Sequence, residues 1–471
     1  MSTVTCLGPA SLTDTSSFYL TVAGTAVATA ATLAVLRAAL WPVPPRLVQS
    51  PLRTVLPKLS KHEITGLAYG PGSFPGARDV ETPYGSIRVY EWGPLTGEKV
   101  VLVHGISTPC MTLSKLAYSL VEEKGCRVLM FDLFGRGFSD NPSDLPHDAR
   151  LYTTQILMAL ASSPHLSWMG PQAFKLVGYS LGGGIAVHFA ATFPHLISSL
   201  VLLAPAGLIR PESFGRLTRA IFTSGLVPPP LLERLASRKL REPIQADGRR
   251  RVSSTGNTTP TPAPTPASSS SSVVHVIGRV NGHANGHPNG SVNSYVNGNV
   301  KGHANGNVKG HANGHLNGHA NGKPNGIING TANGHHHHHH HHLSNGHPLP
   351  HASSDPTITV QEQVSRAVHW QLDHHPGFVP AFLSCIRHGP LLSEHAAWAR
   401  LAAVRAPGTT AVILGSDDDL IDLEEYEQDA LPLLGGKEHV RWRVIRGGAH
   451  DFPMSHARET LREMYEAWGW E

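Results

Sequence analysis

Short apolar runs recur along two parts of the chain, and stretches with the apolar spacing of helices separate them. In chain order the runs are KVVLVHG, CRVLMFD (126–132), FKLVGYS (174–180), SLVLLAP (199–205), TTAVILG (409–415) and VRWRVIRGG (440–448). Continuous runs of this length, rich in β-branched residues, are typical of strands buried on both faces. The predicted helices between them are 111–124, 148–162 and 181–193. This alternation predicts an α/β fold with a mostly parallel central sheet and helices on both faces.

One long uncharged segment, SSFYLTVAGTAVATAATLAVL (16–36), lies near the N-terminus. As a helix its 21 residues would be about 32 Å long, which matches a hydrocarbon core of about 30 Å. A signal peptide or a buried helix has a similar composition, but signal peptides usually carry a basic segment first, and here only Asp14 is charged upstream. We therefore predict a single-pass membrane anchor at about 16–36, within an anchor and linker region at 1–61.

Basic residues follow the predicted anchor: Arg37, Arg46, Arg53, Lys58 and Lys61. Positively charged residues that flank a membrane span tend to stay on the cytosolic side. We therefore expect the part of the chain downstream of the anchor to lie in the cytosol, at the surface of the membrane that holds the anchor.

The composition changes completely from 246 to 357, where Pro/Thr/Ser-rich sequence leads into repeats such as NGHANGHPNG and an eight-histidine run at 335–342. Sequence of this kind cannot bury enough apolar surface to offset chain entropy, so we predict a disordered insert. Neutral imidazoles are common metal ligands. No Cys or carboxylate partner fixes a coordination geometry, however, so we predict no metal site and leave the role of the insert open.

Charge and cysteine content narrow the function classes. The chain has 38 Lys and Arg against 34 Asp and Glu, a formal net charge of +4, so no strong basic field indicates a nucleic-acid partner. Four cysteines are widely spaced, without a metal or disulfide pattern: Cys6, Cys110, Cys126 and Cys385. We predict no nucleic-acid partner, no metal and a reducing compartment.

The run FKLVGYS leads into Gly178-Tyr179-Ser180-Leu181-Gly182, a G-x-S-x-G motif between a predicted strand and a predicted helix. In that position the motif forms a nucleophile elbow, a turn so sharp that small residues must lie two before and two after the serine. Ser180 would then project its Oγ above the sheet. The alternative is a glycine-rich turn with an inert serine, and the other strand ends argue against it.

The run KVVLVHG ends in His104-Gly105-Ile106-Ser107. Backbone N–H groups in this loop, and directly after the nucleophile, would form an oxyanion hole. Our candidates are the N–H groups of Ile106 and Leu181. We expect His104 to fix the loop rather than to take part in the chemistry.

Acidic and basic candidates follow the last two predicted strands. TTAVILG leads into GSDDDLID, where an acid that orients a histidine belongs. Asp417, Asp418 and Asp419 compete for this role, and the spacing favours Asp418. The alternative is an acidic cap for the next helix. VRWRVIRGG leads into GGAHDFP, so His450 lies on the loop from which a base would reach Ser180.

Together, LVHGIS, FDLFGRGFSD, VGYSLGGG, GSDDDLID and GGAHDFP make the chain resemble the α/β-hydrolase superfamily over about 80–210 and 400–471. The order Ser180, Asp418, His450 is that of the nucleophile, acid and histidine of this superfamily. The resemblance implies an α/β-hydrolase fold with a helical cap inserted after strand 6. The expected division is a first core segment at 80–207, cap segments at 208–245 and 358–404 around the insert at 246–357, and a second core segment at 405–471.

Because its elbow carries a serine, the chain resembles the lipase/esterase-like branch of this superfamily, which includes membrane-anchored, monoacylglycerol-lipase-like members. This resemblance implies hydrolysis of a small-molecule or lipid ester through an acyl-enzyme on Ser180, without a cofactor. The apolar stretch 377–387 could line an acyl pocket or pack in the cap. Other uses of the same triad remain open: thioester or amide hydrolysis, acyl transfer and cofactor-free peroxidase chemistry. A non-catalytic α/β-hydrolase scaffold also remains open.

The orientation of the chain can be tested through its sequons. Asn257, Asn289 and Asn329 each begin an N-x-Ser/Thr sequence in the predicted insert. Because we place this part of the chain in the cytosol, we expect no N-glycan and no mass change on glycosidase treatment after expression in a eukaryotic host. A glycosidase-sensitive shift that disappears when the three asparagines are replaced by Gln would contradict the cytosolic placement.

Overall fold

The structure, a computed structural model, describes residues 12–211, 221–222, 226–241 and 358–470, together with eleven two-residue strands between 280 and 329. Its contacts divide the chain into two units. The first comprises Met1–Gly248 and Leu349–Glu471, and the second comprises Arg249–Pro348. The first unit contains the central sheet, the helices that flank it and all five predicted site residues.

An eight-stranded sheet forms the centre of the first unit, in the order β1-β2-β4-β3-β5-β6-β7-β8. Its strands are β1 (Arg78–Thr82), β2 (Gly85–Trp92), β3 (Lys99–Val103), β4 (Arg127–Phe131), β5 (Phe174–Tyr179), β6 (Ile197–Leu203), β7 (Thr410–Gly415) and β8 (Arg441–Ile445). β2 pairs antiparallel with β1 and β4, and the other neighbours are parallel. The predicted mostly parallel sheet is confirmed.

Most of the longer helices flank this sheet or lie in the chain between β6 and β7, whereas the N-terminal helix precedes the sheet and has no buried residues over Ser17–Leu40. The longer helices are α1 (Leu12–Leu40), α2 (Ser114–Glu122), α3 (Ala149–Ala161), α4 (Leu181–Thr192), α5 (Pro229–Arg241), α6 (Val360–His374), α7 (Phe378–His388), α8 (His395–Val404), α9 (Leu423–Leu433) and α10 (Ala457–Trp468). Short helices lie at Pro51–Thr54, Lys61–Thr65 and Phe452–Ser455. Several helices begin at a residue whose side chain accepts hydrogen bonds from the free N–H groups of the first turn. At α3, the Asp148 carboxylate accepts from the N–H groups of Arg150 and Leu151.

The register of the parallel strands brings the site loops together. Every residue of β4 and β5 is buried, as expected for strands covered on both faces. Val103 at the end of β3 lies opposite Gly178 in β5, and Gly415 at the end of β7 lies opposite Ile445 in β8. The loops that follow these strands therefore meet at the carboxyl edge of the sheet, where α/β proteins place their sites.

In the described part of the chain, helices α5 to α8 lie between β6 and β7, where the resemblance implies a cap, and we call them the cap helices. The chain leaves the core for these helices at Gly207, whose N–H donates to the Leu391 carbonyl at 2.9 Å and whose carbonyl accepts from the Glu394 N–H at 2.8 Å. On α4, Gly184 faces the same segment, since a Cβ there would lie 2.3 Å from the Pro390 carbonyl oxygen. The cap segment after α7 therefore packs directly on the helix that follows the elbow.

The segment after α1 joins the core. Val48 exchanges backbone hydrogen bonds of 2.8 Å with Asn141, and Tyr69 and Phe74 are buried in the core. Within α1, Ser17–Leu40 has a mean hydropathy of 1.7 and no buried residues. By length and composition this helix is suitable as a membrane anchor or as a signal sequence.

The strands of the second unit are two residues long: Val280–Asn281, Ala284–Asn285, Val292–Asn293, Val296–Asn297, Val300–Lys301, Ala304–Asn305, Val308–Lys309, Ala312–Asn313, Leu316–Asn317, Ala320–Asn321 and Ile328–Asn329. They pair in parallel with partners sixteen residues away, as Val280 with Val296. The rest of the insert predicted at 246–357, including the histidine run, lies outside the described residues, and its predicted disorder stays a prediction.

Strand β2 carries a buried carboxylate, Glu91, whose charge is compensated by side chains from neighbouring strands. The Glu91 side chain is fully buried and forms ion pairs with Arg78 at 2.8 Å and Arg127 at 3.0 Å. Ser163 and the Trp168 indole also donate to it. Burial opposes the charged form, but these partners outweigh it and lower the pKa of Glu91. The carboxylate thus holds β1, β4 and the chain after α3 together.

Replacing Glu91→Gln should reduce the free energy of unfolding at pH 7 by about 3 kcal/mol, because two buried or half-buried arginines lose their counter-charge. The folded-state pKa lies below the unfolded value, so the contribution is present above the unfolded pKa near about 4.3 and is lost as the pH falls. Denaturant unfolding between pH 3 and 7 measures this, and the two proteins should converge in acid. As a matched control, Glu81→Gln in the exposed Arg53 pair should cost at most about 1 kcal/mol. Equal losses for both variants would contradict the prediction.

Candidate active site

Ser180 lies at the sharp turn between β5 and α4. Its φ of 54° and ψ of −120° lie in a region that non-glycine residues rarely adopt. A Cβ on Gly178 would lie 2.3 Å from the Gly182 carbonyl oxygen, and one on Gly182 would lie 2.2 Å from the Val103 carbonyl oxygen. The two glycines of the motif therefore allow the backbone to approach itself and β3, as the sequence predicts. The Ser180 N–H donates to Leu203 at 3.0 Å and anchors the turn to β6.

A histidine and a carboxylate stand in line with this serine. The Nε2 atom of His450 lies 3.0 Å from the Ser180 Oγ, and its Nδ1 atom lies 2.8 Å from an oxygen of Asp418. The Asp418 side chain is 1% exposed and that of His450 is 17% exposed. The structure thus brings together the three residues predicted as nucleophile, acid and base. The buried carboxylate can fix the imidazole and stabilise its protonated form.

Asp418 is the one of the three competing aspartates whose carboxylate contacts His450. Its other oxygen accepts from the N–H groups of Leu420 at 2.9 Å and Ile421 at 3.0 Å, so the loop itself holds the carboxylate in place. Asp417 and Asp419 are exposed. The acid that caps α9 is a fourth one, Asp422, which accepts from the Glu425 N–H.

Tyr179, the residue before the serine, contacts both the backbone and the ring of His450. Its hydroxyl donates to the His450 backbone carbonyl at 3.0 Å, and the two ring centroids are 5.5 Å apart. The sequence pattern predicts no role for this position. Only the position of Tyr179 next to Ser180 in the motif could have indicated a role in the site. The histidine that it contacts lies 271 residues further along the chain, so no local pattern reveals the contact.

The predicted oxyanion loop passes directly beside the nucleophile. A Cβ on Gly105 would lie 3.3 Å from the Ser180 Cβ. The Leu181 N–H is at the first position of α4, where no carbonyl of the same helix can accept it. Within the described part of the chain, neither this N–H nor that of Ile106 has a hydrogen-bond partner. Both candidate donors are therefore available to a ligand oxygen.

His104 fixes the orientation of one candidate donor. Its Nε2 accepts from the Leu133 N–H at 2.8 Å, so the proton lies on Nδ1, which donates to the Gly105 carbonyl at 2.9 Å. Burial and the charge of Arg136 lower the pKa of His104 to about 3, so the ring is neutral at physiological pH. The Gly105 carbonyl and the Ile106 N–H belong to one planar peptide, so holding the first also aims the second.

The loop after β4 is built around Asp132. One of its oxygens accepts from the Cys110 N–H at 3.0 Å, and the other accepts from the Tyr69 hydroxyl at 2.8 Å and the Phe138 N–H at 2.9 Å. A Cβ on Gly137 would lie 2.1 Å from this carboxylate, so the glycine permits the close turn. Burial raises the pKa of Asp132. The group supports the site loops and faces away from solvent.

A cavity of about 420 Å³ lies between the segment 66–69 and the cap helix α6. Gln371 on α6 connects it to the site loops, since its side chain accepts from the Gly137 N–H at 2.7 Å and donates to the Ser107 carbonyl at 3.5 Å. No residue of 377–387 lines this cavity. Five apolar residues of α7 are buried, whereas Phe382 and Ile386 are half-buried: the buried ones are Phe378, Val379, Ala381, Leu383 and Cys385. Packing against neighbouring side chains therefore accounts for the buried half of that apolar stretch.

Comparison with known proteins agrees with this architecture. A family described as alpha/beta hydrolase fold matches residues 99–226. A serine hydrolase-like protein of Dictyostelium discoideum is 32% identical over 123 residues, which are 26% of this chain and 32% of that protein. A serine hydrolase-like protein of Danio rerio is 28% identical over 131 residues, which are 28% of this chain and 38% of that protein. The chain thus spans about a third of the length of these relatives.

The strand order and this family match agree on the fold. Among solved structures, a bromoperoxidase from Bacillus anthracis is 14% identical with a TM-score of 0.47, covering 83% of this chain and 99% of its own. The family match includes β3 to β6 and the elbow, and the sheet places these strands at its centre. The chain has the α/β-hydrolase fold. The resemblance to the α/β-hydrolase superfamily is confirmed.

The assignment of the acid can be tested by comparing three neighbouring variants. Asp418→Asn keeps the oxygen that Leu420 and Ile421 contact but removes the charge beside His450. We expect the rate of labelling by a serine-directed fluorophosphonate to fall by about 10⁴-fold, the effect of this change in a well-studied triad. Asp417→Asn and Asp419→Asn serve as matched controls and should stay within about twofold of the wild type. A comparable loss in either control would move the acid to that position.

Proposed function

We propose that this protein is a serine hydrolase that cleaves carboxylic esters through an acyl-enzyme on Ser180. The observation that carries the proposal is the hydrogen-bonded line from the Ser180 Oγ through His450 to Asp418, with steps of 3.0 and 2.8 Å. A nucleophile, a base and a carboxylate that orients the base form the arrangement that activates a serine. The serine hydrolase-like relatives from two organisms support the same class.

The reaction proceeds in two halves on the proposed triad. His450 accepts the Ser180 proton on Nε2 while its Nδ1–H donates to Asp418, and the Oγ attacks the ester carbonyl. The N–H groups of Ile106 and Leu181 hold the oxyanion of the tetrahedral intermediate. His450 then gives the proton to the leaving alcohol. A water molecule attacks the acyl-enzyme with His450 again as base, and the acid product leaves Ser180 free.

The substrate class we propose is a lipid-like ester. The exposed apolar helix α1 would hold the protein at a membrane, with the downstream domain in the cytosol. The cavity between 66–69 and α6 carries apolar side chains beside polar ones, and Gln371 joins it to the oxyanion loop. An apolar chain of a substrate would be accommodated there, with the ester group near Ser180.

The test is labelling of the detergent-solubilised full chain with a fluorescent fluorophosphonate, in the wild type and in Ser180→Ala. We expect the wild type to be labelled and the variant to show no signal, because the probe reacts only with an activated serine. Ser180→Ala keeps the Cβ and the backbone turn, so an unchanged melting temperature would exclude loss of folding as the cause.

Wild-type protein that is folded but not labelled would contradict the proposal and favour a non-catalytic scaffold. With labelling established, p-nitrophenyl esters of increasing acyl length, together with a thioester and an amide, define the reaction. Hydrolysis that rises from two to about twelve acyl carbons would support a lipid-like ester. A preference for the thioester or the amide would replace the ester assignment while leaving Ser180 as the nucleophile.

A further inference from the structure

A fully buried arginine connects the oxyanion loop with the cap. Arg136 has no exposed surface. Its Nε donates to the Ile106 carbonyl at 2.9 Å, and one Nη donates to the Tyr152 hydroxyl at 2.9 Å. The same Nη also donates to the Phe134 carbonyl, and the other Nη lies 3.2 Å from the Cys385 Sγ. One side chain thus contacts a site loop, α3 and the cap helix α7.

The guanidinium is charged but has no carboxylate partner. Within the described residues no acidic side chain forms an ion pair with Arg136. Its neighbours are carbonyls, a phenol and a thiol, and an arginine remains protonated at any pH that the protein tolerates. Burying a charge without a counter-charge costs free energy, which the hydrogen bonds to these neutral groups offset only in part. We therefore expect the charge of Arg136, or the geometry of its N–H donors, to have a function beyond packing.

The contact with Ile106 indicates that role. His104 holds the peptide between Gly105 and Ile106, and Arg136 holds the next peptide through the Ile106 carbonyl. Two consecutive peptide planes of the loop are fixed, one on each side of the Ile106 Cα. Rotation of either peptide plane would therefore break a buried hydrogen bond.

We propose that Arg136 is a positioning residue that pre-organises the oxyanion hole and that links its geometry to the seating of the cap. This inference rests on the proposed serine hydrolase function. Donors fixed in advance stabilise a developing negative charge without reorganisation during the reaction. Cys385 and Tyr152 hold the Nη ends of the guanidinium, so displacement of α7 would remove one of the two side chains that orient the Arg136 Nε toward the Ile106 carbonyl.

Kinetics of Arg136→Lys test the proposal, because an ammonium keeps the charge but cannot form all of these bonds at once. We expect kcat to fall by about 10- to 100-fold with KM within about twofold of the wild type, since removal of an oxyanion donor itself costs about 10²–10³ in kcat. Affinity for an alkyl boronic acid, which forms a tetrahedral adduct with the active serine, should fall by a similar factor.

Arg405→Lys is the matched control. Arg405 is also buried, and it donates to the backbone carbonyls of Ile197, Ser198 and Thr409, on the side of β6 where the strand begins. This variant should lose thermal stability but keep the wild-type kcat and boronate affinity. A parallel fall of kcat in both variants at equal folded fraction would overturn the proposal, because it would reduce Arg136 to a structural role.

Tyr152→Phe and Cys385→Ala give an answer even where Arg136→Lys fails to fold. Each removes one support of the guanidinium while leaving its bond to Ile106 possible, and we expect a fall of about 3- to 10-fold in kcat and boronate affinity with little change in KM. Unchanged kinetics in both folded variants would overturn the inference. A wild type without Ser180-dependent labelling would overturn the proposed function itself and this inference with it, whereas a labelled wild type confines any failure to Arg136.

Discussion

The site depends on a single close approach of backbone to backbone at the elbow. Ser180 adopts a conformation that costs about 1–3 kcal/mol in an ordinary residue. It persists because Gly178 and Gly182 let α4 begin directly against β3 and β5, and because Leu203 accepts the Ser180 N–H. A side chain at either glycine would push the helix away from the strand. The position of the Oγ, and with it the line to His450, follows from this packing.

Around the elbow, the loops are held by polar groups that are themselves buried. His104, Asp132 and Arg136 each contact the backbone of a neighbouring loop, and each is fully buried. In a low-dielectric interior such hydrogen bonds are costly to break, because no water replaces the lost partner. Buried hydrogen bonds thus connect the loop after β3, which carries the candidate oxyanion donor Ile106, with the loop after β4. Preorganised donors of this kind are what acyl transfer requires.

The cap helices α6 and α7 form hydrogen bonds with the loops that follow β3 and β4. Gln371 on α6 contacts the loops at Gly137 and Ser107, and Cys385 on α7 contacts Arg136. The chain enters the cap after β6 and returns before β7, and the predicted insert comes between α5 and α6 in the sequence. Loop-closure cost grows slowly with length, so a long insertion at this point is compatible with a stable core.

Much of this arrangement could be predicted from local sequence. Parallel strands follow from continuous apolar runs, and helices from the spacing between them. The elbow follows from G-x-S-x-G between a strand and a helix, because only that context forces the sharp turn. β1 and β2 were not predicted, because Arg88 and Glu91 interrupt the apolar pattern of a strand that is nevertheless fully buried. Their charges are compensated by residues distant in sequence, such as Arg127, which a local pattern cannot show.

The sequence by itself determined the fold class, the order of the candidate triad and the choice of Ser180 and His450, because these depend on periodicity and on residues at strand ends. Only the tertiary structure decided which aspartate faces His450, since three adjacent carboxylates differ in direction rather than in type. It also showed what Tyr179 and Arg136 contact, and that one side of α7 is buried. Each of these depends on contacts between residues more than 200 positions apart, or on the direction of a side chain, and neither leaves a local pattern.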